Sequence, residues 1–155
     1  MSEERNEAGT PWVLFNTLHR EYCFDLDVCA TPLNAKLKIY WTKEENALTK
    51  SWGNRRVFCN PPFADIRPWL EHAPEPDFIC FVLPVRSDRW WWKRWKPLAE
   101  CHYLIGEKPE RRPQFVPPPG IQYSSNPLSM CLFLFGQNTI PGRESYRSGK
   151  DGRRL

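Results

Sequence analysis

The sequence predicts one small α/β domain whose sheet is mainly parallel and covered by helices. Segments with strand character alternate with segments of helical character along the chain. The strand segments are apolar on both faces, as expected for strands buried between two layers of helices. The 155 residues, of which 41% are hydrophobic, can form the core of one domain but hardly of two.

The first predicted elements are a helix and a strand. Thr10 as N-cap and Pro11 at the first helical position predict a helix through about Tyr22, along which apolar residues recur at helical spacing. A strand is predicted to follow over residues 24–30, where apolar residues alternate with two aspartates.

The second predicted strand, residues 56–59, ends at a motif of interest. It must stop at Asn60, because the two prolines that follow cannot donate hydrogen bonds to a strand ladder. Asn60 therefore falls at the carboxyl end of a strand, where open parallel sheets bind their ligands.

The remaining elements continue the alternation. The pattern predicts a helix from Asp65 to about Ala73, a strand over 78–83, a tryptophan-rich helix from Ser87 to about Lys96, and strands over 101–105 and 129–135. A proline-rich loop, 107–127, separates the last two strands and is too long to be a mere connection. The domain is thus expected over 10–136, between a flexible N-terminus, 1–9, and a flexible basic tail, 137–155.

Composition narrows the class of protein. No apolar run approaches the roughly 18 residues of a membrane span, and the start of the chain lacks the order of a signal peptide, so we expect a cytoplasmic protein. The six cysteines form no CxxC pair and no Cys/His cluster, which predicts reduced thiols and no metal site. The net charge of +4 permits a nucleic-acid partner without requiring one.

The motif Asn60-Pro61-Pro62-Phe63 suits chemistry on a planar amine. The exocyclic amine of a base is a poor nucleophile, because its lone pair is delocalised into the ring. An amide oxygen and a nearby backbone carbonyl that accept the two amine hydrogens can localise that pair, and an aromatic ring can stack on an extruded base. The alternative is a Pro-Pro turn after a strand, with Asn60 as a local cap.

Further motifs occur with this one in a fixed order. They are the runs 24–35, from Phe24 to Ala35, 48–52, from Leu48 to Trp52, 58–63, Trp69, and 83–90, from Leu83 to Trp90. Together they resemble the phage-type Dam family of DNA adenine-N6 methyltransferases over residues 10–136. The resemblance implies a Rossmann-like methyltransferase fold, S-adenosylmethionine as methyl donor, DNA as substrate, and the bacterial host cell as location. It also implies that Asn60, Pro61, Pro62 and Phe63 occupy the catalytic positions.

The resemblance places the cofactor loop at the end of the first strand. The candidate cofactor-binding residues there are Asp25, Asp27, Cys29, Ala30, Thr31 and Asn34. A glycine-rich loop is missing at this point, but a sulfonium cofactor has no pyrophosphate that would need a nest of backbone amides. Solvated carboxylates and local capping remain the alternative roles for these polar residues.

Two segments are candidates for nucleic-acid binding. In the tryptophan-rich helix, Arg89, Trp90, Lys93 and Arg94 combine phosphate-binding and base-stacking side chains, and successive helical residues cannot all face one core. In the proline-rich loop, Arg111, Arg112 and Gln114 have side chains that can pair with base edges. The alternatives are core packing for the helix and a merely solvated loop.

Two other functions stay open on the sequence. The same motif chemistry would serve an RNA base or a glutamine side-chain amide. A non-catalytic nucleic-acid-binding protein with a degenerate cofactor site is also possible, since the glycine-rich loop is missing. The oligomeric state is not predicted.

Overall fold

A computed structural model describes residues 9–106 and 129–155. Their α-helices are α1 (Trp12–Tyr22), α2 (Arg67–Leu70) and α3 (Trp90–Trp95), and two short 3-10 helices span Ala47–Thr49 and Lys96–Leu98. Their strands are β1 (Leu26–Asp27), β2 (Arg56–Cys59), β3 (Phe78–Pro84), β4 (Glu100–Ile105), β5 (Met130–Gly136) and β6 (Glu144–Ser148).

The six strands form one mixed sheet in the order β1-β2-β3-β5-β4-β6. Strands β1, β2 and β3 are parallel to one another, and β6 is parallel to β4. Strand β5 lies antiparallel between β3 and β4. The expectation of a mainly parallel sheet is thus corrected to a mixed one. An apolar strand has the same pattern in either direction, so the sequence did not distinguish the two.

Alternate residues of the central strands enter different layers of the core. In β3, one face carries Ile79, Phe81 and Leu83, and the opposite face carries Phe78, Cys80 and Val82. The first face packs against α2, α3 and the 3-10 helix at Ala47, whereas the second packs against α1. Both faces of the sheet are covered, which explains why these strands are apolar at every position.

Helix α1 starts differently from the sequence expectation. Pro11, not Thr10, occupies the N-cap position, and no side chain caps the first turn. Thr10 lies one residue earlier, with its side chain buried. The helix ends where Cys23 adopts a left-handed conformation, with φ of 53°.

Other predicted boundaries also shift. Strand β1 has two residues instead of seven, because the chain turns away after Asp27. Helix α2 begins at Arg67 rather than Asp65, and α3 begins at Trp90 rather than Ser87. Neither helix has a side-chain cap. The capping residues in the sequence therefore predicted the approximate position of each helix but not its first residue.

The expected flexible basic tail contains a strand. Residues 144–148 form β6 along β4, and Arg147 of this strand is completely buried. Its guanidinium donates hydrogen bonds to the Glu21 carboxylate at 2.8 and 3.0 Å, to the Tyr22 hydroxyl at 2.8 Å and to Nδ1 of His102 at 2.8 Å. A basic residue in a polar segment is usually solvated, and burial of this one depends on its partners on α1 and β4 and on the carbonyl of Gly152.

This cluster determines the protonation of His102. Because Nδ1 accepts the Arg147 N–H, the ring proton lies on Nε2 and is donated to Glu100 at 2.7 Å. Burial lowers the pKa of His102, and the positive charge of Arg147 acts in the same direction. Burial tends to raise the pKa of Glu21, but the hydrogen bonds from Arg147 and Arg154 hold it below its ordinary value.

None of the six cysteines, all within the described residues, forms a disulfide; Cys59, Cys80, Cys101 and Cys131 are buried, whereas Cys29 is half-buried and Cys23 is exposed. Within 9–106 and 129–155, no helix is long and apolar enough to cross a membrane. The predicted N-terminal segment 1–9 lies outside the described residues except for its last member.

Candidate active site

A cavity of about 490 Å³ opens at the carboxyl ends of β1 and β2. One wall consists of residues that follow β1, and a second consists of residues that follow β2, including Asn60. Gly9 and Thr10, just before α1, and the segment 42–48 complete the lining. Because parallel neighbouring strands end at the same edge of the sheet, the two predicted motifs are brought together here.

Asp27 lies at the bottom of the first wall. Its carboxylate is only 2% exposed and accepts the backbone N–H of Cys29 at 3.3 Å and of Lys36 at 3.4 Å. Burial raises the pKa of Asp27 to about 7, against the effect of these two hydrogen bonds and of the Lys36 charge. A carboxyl held near neutral pH in a cavity is a group whose charge a bound cation would stabilise.

The rest of this wall is a tight turn. The Asn34 side chain accepts the Thr31 N–H at 2.7 Å, and the Thr31 hydroxyl accepts the Asn34 N–H at 3.3 Å. Cys29, Ala30, Thr31 and Asn34 all line the cavity. The reciprocal hydrogen bonds hold the turn in shape where most dinucleotide-type sites use glycines.

The structure separates Asp25 from this group. Its carboxylate accepts the backbone N–H of Arg56 at 3.0 Å, at the opposite end of β1, and it does not line the cavity. Asp25 lies just before β1 and two residues before Asp27, which moves it about 6.6 Å away from the carboxyl edge. The expected cofactor contact of Asp25 is therefore not supported.

Asn60 is held by Thr10, a residue that was not predicted to belong to the site. Its amide Nδ2 donates to Oγ1 of Thr10 at 3.1 Å, and both residues line the cavity. The contact joins residues 50 positions apart, so no local pattern indicated it. The sequence offered one signal, the polar residue Thr10 before Pro11, which was interpreted as the N-cap of the first helix.

The rest of the predicted catalytic motif divides between the cavity and the core. Pro62 lines the cavity, while Pro61 is buried. Phe63 is half-buried and packs against both layers of the core. It is not among the residues that line the cavity. Its ring therefore has a packing role, and stacking on a base stays a prediction for its exposed part.

Lys36 is a second residue that the sequence analysis missed. Its side chain is half-buried at the cavity, with Nζ 4.4 Å from the ring centre of Trp12. Burial lowers the pKa of Lys36, while the nearby Asp27 acts to raise it. Among the charged groups that line the cavity, Lys36 and Asp27 are therefore close enough to interact.

The part of the lining that comes from segment 42–48 is held in place by Trp52. The buried indole N–H donates to the carbonyl oxygen of Ala47 at 2.9 Å, and His72 stacks on the ring at 4.4 Å. This contact fixes the 3-10 helix whose first turn borders the cavity. Trp52 therefore shapes the site from behind and does not line it.

The tryptophan-rich helix α3 has one buried and one exposed side. Trp92 and Trp95 belong to the core, while Trp90 is 64% exposed. The other three predicted nucleic-acid-binding residues of this helix, Arg89, Lys93 and Arg94, are exposed as well. The helix follows β3, whose carboxyl end lies at the same edge of the sheet as the cavity.

Three of the predicted nucleic-acid-binding residues, Arg111, Arg112 and Gln114, lie outside the described residues. Among the residues that the structure does describe, there is no group of three or more His, Cys, Asp or Glu side chains that could hold a metal ion.

A family model described as DNA N-6-adenine-methyltransferase (Dam) matches residues 1–150. The DNA N-6-adenine-methyltransferase of Haemophilus phage HP1 (strain HP1c1) is 38% identical over 67 residues, which are 42% of this chain and 39% of that relative. The match thus spans less than half the length of the relative. No solved structure matches the chain significantly.

Proposed function

The chain belongs to the Dam family of DNA N-6-adenine-methyltransferases, and from this we propose that it methylates the N6 amine of adenine in DNA, with S-adenosylmethionine as donor. The observation that carries the proposal is the cavity shared by Asp27 and Asn60 at the ends of adjacent parallel strands. The parallel unit β1-β2-β3, with the cavity at its carboxyl edge, also supports a Rossmann-like relationship within the mixed sheet.

The cavity fits a cofactor of this kind. Its volume of about 490 Å³ lies within the range of roughly 300–1,000 Å³ typical of small-molecule sites. Asp27 would hold a cationic or hydroxyl group, and the turn from Cys29 to Asn34 would shape the pocket around it. S-adenosylmethionine, when bound, supplies a methyl group on a positively charged sulfur, which makes the methyl reactive towards a neutral nitrogen.

Asn60 would then act on the base. Its amide oxygen and the carbonyl of Pro61 would accept the two N6 hydrogens of an extruded adenine, which localises the nitrogen lone pair for attack. The prolines restrict the backbone, so these acceptors are held in place before the base arrives. No charged general base is needed, because the methylated ammonium readily loses its proton to water.

The exposed side of α3 would bind DNA. The exposed side chains of Arg89, Lys93 and Arg94 would neutralise phosphates, and the exposed ring of Trp90 would stack on a base. Arg111, Arg112 and Gln114 remain candidates for reading base edges.

The test is to incubate DNA with the protein and S-adenosylmethionine that carries a deuterated methyl group. The DNA is then digested to nucleosides, and labelled N6-methyladenine is measured by mass spectrometry. Asn60→Ala should slow the single-turnover rate by about 100-fold or more, the scale of one lost pre-organised polar contact, while cofactor affinity in calorimetry changes little. Asn16→Ala, on the exposed side of α1, is the matched control and should retain the rate.

Parallel reactions distinguish the alternatives. Label that appears only in RNA or in a glutamine-containing peptide would move the substrate. Absence of cofactor binding by calorimetry would indicate a non-catalytic protein. Near-normal DNA methylation by Asn60→Ala would contradict the proposed role of Asn60.

A further inference from the structure

The hydrogen bond between Asn60 and Thr10 joins the catalytic loop to the start of α1. Thr10 is 1% exposed, and its Oγ1 lies 3.1 Å from Nδ2 of Asn60. An asparagine amide can rotate about its terminal torsion, where the energy wells are broad. A buried partner at hydrogen-bond distance restricts that rotation.

The position of Thr10 is set by the rigid segment that follows it. Pro11 follows it with a fixed φ, and α1 then packs Leu14, Phe15 and Leu18 into the core. The ring of Phe15 meets the ring of Phe58 edge-on at 4.9 Å. Because Phe58 lies two residues before Asn60 on the same chain segment, this aromatic contact aligns Thr10 with the Asn60 side chain.

We propose that Thr10 is a positioning residue that holds the Asn60 amide in its reactive orientation. With Nδ2 on Thr10, Oδ1 lies at the other end of the amide plane, and an amide oxygen is the atom that can accept an amine hydrogen from a substrate. Thr10 acts through Asn60 and has no contact with the reacting atoms in this role. The inference rests on the proposed function and assigns Thr10 a part in it.

Spectroscopy tests the contact without any turnover. In a ¹⁵N-labelled protein, the side-chain NH₂ pair of Asn60 is assigned by its disappearance in Asn60→Ala. Thr10→Val removes the acceptor with little change of shape and should move this pair towards the position of an unbonded amide. Thr10→Ser should restore it. The same substitution on α1, Thr17→Val, is the control and should leave the pair unmoved, because the Thr17 hydroxyl donates locally to the carbonyl of Val13 at 3.2 Å.

Kinetics then tests the consequence. Thr10→Val should lower the single-turnover methylation rate about 10-fold, the effect of one hydrogen bond, while the dissociation constants for cofactor and DNA stay within about 2-fold. Thr10→Ser should recover most of the rate. In the Asn60→Ala background, Thr10→Val should have no further effect, because its action passes through Asn60.

Several results would overturn the inference. One is an unmoved Asn60 resonance in Thr10→Val, and another is a parallel loss of cofactor affinity, which would make Thr10 a binding residue. Should Thr10→Val not fold, Thr10→Ala with the same two readouts replaces it. If Asn60→Ala abolishes methylation while Thr10→Val and Thr10→Ala do not slow it, the positioning role fails and the proposed function stands. If the wild-type protein methylates nothing, the proposed function fails, and the resonance alone still decides whether Thr10 orients the amide.

Discussion

Arg147 provides the sharpest test of how the C-terminal segment is held. Its side chain is 1% exposed and donates five hydrogen bonds, to Glu21, Tyr22, His102 and the carbonyl of Gly152. Truncating one partner of a buried ion pair costs about 3–5 kcal/mol, because the remaining polar groups lose their partner.

The expected magnitude lies at the lower end of that range. Glu21 is 30% exposed and keeps its contact with Arg154, so water and Arg154 compensate part of the loss. We expect Arg147→Met to lower the free energy of unfolding by about 3 kcal/mol. For a chain of this size, this corresponds to a fall in melting temperature of about 6–12 °C.

The assay is thermal unfolding monitored by circular dichroism, with Arg154→Met as matched control. Arg154 bonds the same carboxylate but is 54% exposed, so its removal should cost about 1 kcal/mol or less. Arg147→Lys keeps the charge but lacks the planar fork, and its melting temperature should fall between those of wild type and Arg147→Met. The reasoning is refuted if Arg147→Met melts no lower than Arg154→Met.

Three further outcomes are expected. If the ring of Phe63 stacks on the base, Phe63→Ala should lower methylation activity about 5- to 150-fold, and Phe63→Tyr should keep most of the wild-type activity. A large fall in melting temperature with normal activity per folded molecule would make Phe63 a packing residue only. Replacing Arg89, Lys93 and Arg94 together by alanine should flatten the log-log salt dependence of DNA binding by up to about 0.9 per lost phosphate contact, and an unchanged slope would place the DNA surface elsewhere. The pKa of Asp27, raised by burial to about 7, means that its contribution to stability is fully present below about pH 4 and is lost as pH rises through 7. Between about pH 4 and pH 7, wild type should therefore lose up to about 1.4 kcal/mol per pH unit relative to Asp27→Asn, with no further loss above pH 7, and equal slopes in chemical denaturation would contradict the raised pKa.

Local pattern was sufficient for much of the fold. The strands β2, β3, β4 and β5 and the helix α1 lie within one or two residues of the predicted positions. The reason is that burial between two layers requires an apolar residue at nearly every strand position, which leaves a visible run in the sequence. The end of a strand at a proline is an equally local effect, so Asn60 could be placed at a strand end.

Strand direction and the last strand were not accessible in this way. Strand β5 is apolar on both faces in either direction, so its antiparallel pairing depends on the course of the chain between strands. Strand β6 has a polar sequence at the sheet edge and is held partly through Arg147, whose partner Glu21 lies 126 positions earlier. A contact of that separation has no local signature.

The candidate site divides along the same line. By itself, the sequence predicted which segments border the cavity, because Asp27 and Asn60 are polar groups at strand ends and the two prolines end the second strand. Only the tertiary structure decided that Asp25 is turned away, that Lys36 enters the cavity and that Thr10 bonds to Asn60 rather than capping α1. Strand endings and burial follow from interactions between near neighbours in the chain, whereas the partner of a buried polar group depends on which distant segments the completed core brings within hydrogen-bond distance.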